Sequence, residues 1–216
     1  MSNRAAIFDL DGVLVDSARL HFLAWKRIAD ELGIAFDERD NLALKGVDRM
    51  GSLALILANS TKVFSPPERE DIAARKNGYY LEAVAAMGPG DLLPGAEQLV
   101  LGARAAGLAC ALASASRNAQ RVLDRVGLSK AFDFIADPAR LASKPSPDLF
   151  LAGAAALGIA PGACIGFEDS AAGILAIRAA GMLAIGIGDA NELRMAHRVF
   201  PSTADINLEV VLDLQV

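Results

Sequence analysis

From residue 108 to residue 187 the chain alternates short, continuously apolar runs with longer amphipathic ones, and that rhythm leaves few folds open. The spacing predicts strands over 108–113, 132–136, 163–167 and 183–187, with helices over 118–126, 148–157 and 171–180. Strands without polar interruption are buried on both faces, so the pattern predicts a parallel sheet covered by helices on each side. A similar run at 5–10 opens the chain and is expected to join the same sheet. The block between has another texture. After Asp16 or Ser17 as a cap, Leu20, Leu23, Ala24, Ile28, Ala29 and Leu32 recur at helical spacing until Gly33 stops them. Helices are predicted again over 37–44, 48–58 and from Pro66 through Tyr79, and the Pro- and Gly-rich stretch 88–95 reads as a connector. The expected architecture is α/β: a Rossmann-like parallel-sheet core made from 1–15 and 93–216, carrying an inserted small helical cap over 16–92.

In open parallel sheets, ligands sit beyond the carboxyl ends of the strands. The residues just past each predicted strand are therefore informative. The first strand leads into Asp9, Asp11 and Gly12, and the second into Ser114-Ala115-Ser116-Arg117-Asn118. Lys144 comes after the third, in SKPSPD, and Glu168, Asp169 and Ser170 come after the fourth. Singly, each has a bland reading as a turn former, helix cap or solvated side chain. Those readings do not explain why four successive strand ends all carry such groups.

Phosphoryl transfer does explain it. A carboxylate attacks phosphorus only when its repulsion from the phosphate is cancelled, which calls for a divalent cation with oxygen ligands. Asp9 is the candidate nucleophile, and Asp11, on the same side of the chain, the candidate general acid and base. Asp9, Asp11 (through a nearby backbone carbonyl), Glu168 and Asp169 are the candidate metal site, an oxygen-only set that suits Mg²⁺ rather than zinc. Ser114, the Ala115 N–H and Lys144 would meet the equatorial phosphoryl oxygens. The formal net charge of −5, with no block of like charge, gives no argument for nucleic acid or an anionic membrane, so an anionic substrate must be met by a few local cations. No run reaches the roughly 18 apolar residues of a membrane span. A cytoplasmic protein is expected, and a closing cap fits a monomer. Cys110 and Cys164 lie in strand-like runs and read as small buried thiols; Met195 and His197, in NELRMAHR, read as surface helix.

FDLDGV, the serine after the second strand, Lys144 in its KPSPD loop and the EDS pair resemble, in order, the four motifs of the haloacid dehalogenase superfamily of aspartate-nucleophile phosphotransferases. Within it, DSARLHFLAWKRIADELGI, LKGVDRM, ARKNGYY and SASRN resemble the sugar phosphomutases. That resemblance implies interconversion of β-glucose 1-phosphate and glucose 6-phosphate, with Mg²⁺ and with β-glucose 1,6-bisphosphate as activator and intermediate. Two phosphates must then be held at once, and Arg49 offers a bidentate fork for the distal one, with Arg117 and Asn118 in reach from the core. The resemblance adds Lys45, Gly46, Val47, Ala115 and Ser116 to the substrate-binding set. It gives His21 and Lys76 the coupling of closure to substrate, and puts Trp25 beside the sugar. Ser17 and Arg117 stand where the family frequently has Thr and Lys. A sugar-phosphate phosphatase on the same scaffold, with water attacking the aspartyl phosphate, is the alternative.

Overall fold

The computed structural model describes residues 4–44 and 47–214. Strand β1 (Ala5–Phe8) leads into four helices, α1 (Ala18–Leu32), α2 (Glu38–Leu42), α3 (Arg49–Leu57) and α4 (Pro66–Ala85). The order then becomes α5 (Ala96–Ala105), β2 (Ala109–Leu112), α6 (Ala119–Val126), β3 (Phe134–Ile135), α7 (Asp148–Leu157), β4 (Cys164–Glu168), α8 (Ala171–Ala179), β5 (Leu183–Ile187), β6 (Arg198–Phe200) and α9 (Leu208–Leu212). The strands form one sheet in the order β3-β2-β1-β4-β5-β6, all pairs parallel. The chain order reverses at β1, which lies between β2 and β4; that reversal opens the crevice where open α/β sheets bind ligands.

Each face of the sheet has its own apolar core. Phe8, Leu112 and Phe167 pack on one side with α5 and α6, and Ile7, Ala111 and Ala184 on the other with α7 and α8. The Phe8 and Phe167 rings stack 4.8 Å apart across the central pair of strands. Each such side chain contributes about 1.5–3 kcal/mol by leaving water. A third cluster, Trp25, Ile28, Phe36, Leu53, Ile56, Phe64 and Ile72, belongs to the helical block alone. Cys110 and Cys164 are buried free thiols, as their sequence context suggested. Among the described residues no helix is long and apolar enough to cross a membrane.

Three expectations need correction. The stretch holding Met195 and His197 is not a helix: it turns and then enters β6, where Arg198 pairs with Ile185 and the His197 Nδ1 accepts from the Ala184 N–H at 2.8 Å. This three-residue edge strand opens on the exposed Arg198 and buries only Phe200, so it lacks the continuous apolar signal of the inner strands. Helix α4 runs past Tyr79 to Ala85, because LEAVA is a run of helix formers whose Val84 is buried. Ser17 sits at the N-cap of α1, but its hydroxyl makes no capping bond. Gly33, at φ 67°, ends α1 as expected.

Candidate active site

The sheet brings the strand-end residues to one edge. Lys144 Nζ lies 2.8 Å from Asp9 Oδ1 and 2.7 Å from Glu168 Oε2, so one buried ammonium joins the loops after β1 and β3 to the last residue of β4. The other Glu168 oxygen accepts from the Ser170 hydroxyl at 2.7 Å and from its N–H at 3.1 Å, and Ser170 in turn caps α8 by accepting from the Gly173 N–H. Gly173 has to be glycine for this geometry, since a Cβ there would fall 2.0 Å from the Glu168 carboxyl carbon. Gly12, at φ +76°, similarly lets the β1 loop close on Asp169, whose Oδ2 would lie 2.2 Å from an added Cβ. The Ser114 hydroxyl, buried at the end of β2, accepts from the Ser116 N–H at 3.0 Å.

Oxygens of Asp9, Glu168 and Asp169 lie within 4.8 Å of one another. Burial, then the neighbouring Glu168 charge, raises the Asp9 carboxyl well above the usual range despite the opposing Lys144. Burial and Asp169 push Asp11 up to about 7. Burial alone would lower Lys144, but the Asp9 and Glu168 carboxylates hold its proton more tightly than usual. The three clustered carboxylates, two of them buried, form an oxygen-only set of the kind a divalent cation takes, with the Lys144 ammonium beside two of them. Asp11 is outside that cluster, and its Oδ1 is buried with no hydrogen-bond partner among the described residues.

The helical block closes the other side of a cavity of about 510 Å³ that Asp9, Asp11, His21, Trp25, Val47, Arg49, Lys76, Ala115, Ser116, Arg117, Asn118, Lys144 and Asp169 all line. Lys76 is buried rather than paired with acids along its helix: its Nζ stands 2.7 Å from His21 Nδ1 and 4.9 Å from the Trp25 and Tyr80 ring centres. Burial, then Arg49, pulls its ammonium down to about 7. His21, stacked on Tyr80, is lowered well below its usual value by burial, Lys76 and Arg49. Arg49 Nη2 donates to Asn77 Oδ1 at 2.7 Å, and the Arg117 guanidinium lies near enough to lower Arg49 further after burial. Lys45 and Gly46 lie outside the described residues.

Two contacts absent from the sequence-based expectations tie the helical block to the sheet domain. Ser143 Oγ donates to Asp48 Oδ2 at 2.9 Å, and Asn118 Nδ2 donates to Asn77 Oδ1 at 2.8 Å. Each unexpected partner is next in sequence to a candidate site residue, Asp48 to Arg49, Asn77 to Lys76 and Ser143 to Lys144. That adjacency is the one signal the sequence offers for them.

An acid cluster and a buried lysine at the carboxyl edge of an open parallel sheet, beneath helices that bring their own cations, define a class of α/β enzymes that work on phosphate esters with a divalent metal. The chain belongs to the haloacid dehalogenase-like hydrolases, whose family pattern matches residues 3–181. It is 41% identical to the β-phosphoglucomutase of Bacillus subtilis over 96% of this chain and 93% of that one. It is 34% identical to hexitol phosphatase B of Escherichia coli, over 84% of this chain and 82% of that one. A solved β-phosphoglucomutase structure from Clostridium difficile superposes with a TM-score of 0.95 at 40% identity, covering 98% of this chain and 96% of that one.

Proposed function

We propose that this chain acts as a β-phosphoglucomutase, interconverting β-glucose 1-phosphate and glucose 6-phosphate through an aspartyl phosphate and β-glucose 1,6-bisphosphate. The observation that carries the reading is that one cavity is lined by Asp9 and Asp169 and also by two guanidinium groups, Arg49 and Arg117. A hexose bisphosphate has charges at both ends that match this arrangement. The likeness to the two β-phosphoglucomutases supports the same reading.

In the first half-reaction the phosphoryl group leaves phosphorylated Asp9 for a sugar hydroxyl, whose proton passes to Asp11. The bisphosphate reorients, Asp9 Oδ attacks the other phosphorus, and Asp11 returns its proton to the departing sugar oxygen. A carboxyl titrating at about 7 is suited to both directions at neutral pH. Mg²⁺, held by Asp9, Asp169 and Glu168 with the Asp11 backbone carbonyl, would supply the charge that lets carboxylate and phosphate approach. Ser114, the Ala115 N–H and Lys144 meet the phosphoryl oxygens; Arg49, Arg117, Ser116 and Asn118 hold the remote phosphate. Val47 borders the sugar with Trp25, and His21 and Lys76 respond to closure. On this reading 16–92 is a cap that shuts over the core of 1–15 and 93–216 and keeps water from the aspartyl phosphate. The enzyme works as a cytoplasmic monomer.

Incubation with Mg²⁺, β-glucose 1-phosphate and the bisphosphate, monitored through phosphorus resonances, tests this. Glucose 6-phosphate without matching free phosphate is expected. Free phosphate formed as fast as isomer would favour a sugar-phosphate phosphatase, the reading that the likeness to hexitol phosphatase B supports.

A further inference from the structure

Asn77 follows Lys76 on α4, where that helix passes from the helical block's own apolar core at Ile72 and Ala73 to the main core at Tyr80 and Val84. Its side-chain oxygen accepts from Arg49 Nη2 at 2.7 Å and from Asn118 Nδ2 at 2.8 Å. Both lone pairs of that oxygen are then in use, one by a residue of α3 and one by the residue that opens α6.

We propose that Asn77 is a positioning residue: it aims the Arg49 guanidinium at the remote phosphate of the sugar and does so fully only when Asn118 of the sheet domain is within reach. This rests on the proposed mutase function. Four physical points support it. A free arginine side chain samples many rotamers, so a bound acceptor reduces the ordering that phosphate binding would otherwise require. Arg117 repels Arg49, and without a fixed acceptor the Arg49 fork would swing away from its like charge. Asp48, the acid next to Arg49, is already engaged by the Met50 and Gly51 N–H groups and by Ser143. A neutral amide oxygen, moreover, orients the guanidinium without neutralising it, leaving its full charge for a phosphate. Because the same atom takes the Asn118 donor, Arg49 is locked when the two parts of the molecule meet.

The test compares Asn77→Ala, and Asn77→Ser as a second variant should the first misfold, with the parent enzyme. Isomerisation of β-glucose 1-phosphate is expected to fall about tenfold to a hundredfold in kcat/KM, mostly through KM, the range for losing a hydrogen bond to a charged group. Phosphate release relative to glucose 6-phosphate should rise severalfold. Phosphorylation of Asp9 by acetyl phosphate, which has no second phosphate, should stay within about twofold of the parent. Binding of glucose 6-phosphate, monitored by fluorescence of Trp25, the chain's single tryptophan, should weaken about tenfold and needs no turnover. Equal losses in isomerisation and in Asp9 phosphorylation would make Asn77 merely structural and overturn the inference. So would unchanged binding and isomerisation. A parent that binds the sugar phosphate yet releases only free phosphate would instead refute the mutase reading, while the fluorescence comparison would still decide the role of Asn77.

Discussion

The two halves of the site are built on different principles. On the sheet side, Asp9, Lys144, Glu168 and Ser170 hold one another through contacts made entirely within the core, and their positions result from strand ends fixed by the ladder. On the helical side, Arg49 takes its aim from Asn77, and Lys76 rests against His21 and two aromatic rings. The bonds that tie those groups to the core, Asn77 with Asn118 and Asp48 with Ser143, cross between the two parts. On the proposed function, the Asp9, Lys144 and Glu168 end is held by the core's own contacts, whereas recognition of the far end of the substrate would be assembled by closure. The bisphosphate exchange proposed above would use that asymmetry: a rigid reacting end and a conditional grip.

Removing the rigid half's nucleophile has the largest expected effect. Asp9→Asn should lower turnover of sugar phosphates by at least about 10³-fold and abolish the mass gain of a phosphorylated aspartate. Comparable turnover in the variant would mean that no group is carried on the core at all. Arg49→Ala strikes the conditional half. Isomerisation should fall about a hundredfold, while labelling of Asp9 by acetyl phosphate persists, because that donor never reaches the far end of the cavity. Loss of both activities together would break the distinction between the two halves.

That same distinction governs what the sequence discloses. Asp9, Ser114, Lys144, Glu168 and Asp169 can be read off because each lies at or beyond the carboxyl end of a strand, and the topology of a parallel sheet gathers strand ends without further information. Asn77 with Asn118 and Asp48 with Ser143 are 41 and 95 residues apart, and meet only through the seating of the helical block on the core, which no local pattern encodes. The role of Gly173 is equally hidden, since it arises from the bulk of the Glu168 carboxyl and not from a turn. β6 escapes because an edge strand with one buried residue carries almost no periodic signal. Ser17 meets a helix start by pattern, yet its hydroxyl does not bond the helix it opens.

Lys76 sharpens the comparison through pH. Its neighbours are His21 and Trp25 of α1, Arg49 of α3, Tyr80 of its own helix and Asp11 of the β1 loop. With a folded value near 7 against 10.5 for an ordinary lysine, the unfolded chain carries a proton between those limits that the folded one has released. Stability attributable to this group therefore rises with pH from about 7 to 10.5, and below 7 the full cost of a buried ammonium stands. Lys76→Met should stabilise the protein more at pH 6 than at pH 9, by a difference on the order of 2 kcal/mol in thermal or urea unfolding. A difference that does not change with pH would mean that the group is solvated and that the helical half is looser than described.

The smallest expected effect tests the seam itself. Ser143→Ala removes one hydrogen bond to Asp48, whose other oxygen keeps the Met50 and Gly51 N–H groups, so α3 and Arg49 should stay in place. Asp48 is partly exposed, and the loss should be near 1 kcal/mol, about a fivefold rise in KM for the sugar phosphate. Ser143 also precedes Lys144, the ammonium that joins Asp9 to Glu168. If the core is as self-sufficient as its internal contacts imply, phosphorylation of Asp9 by acetyl phosphate will not change in this variant. If it falls in step with isomerisation, closure reaches the reacting end through the Lys144 loop, and the rigid half depends on the conditional one after all.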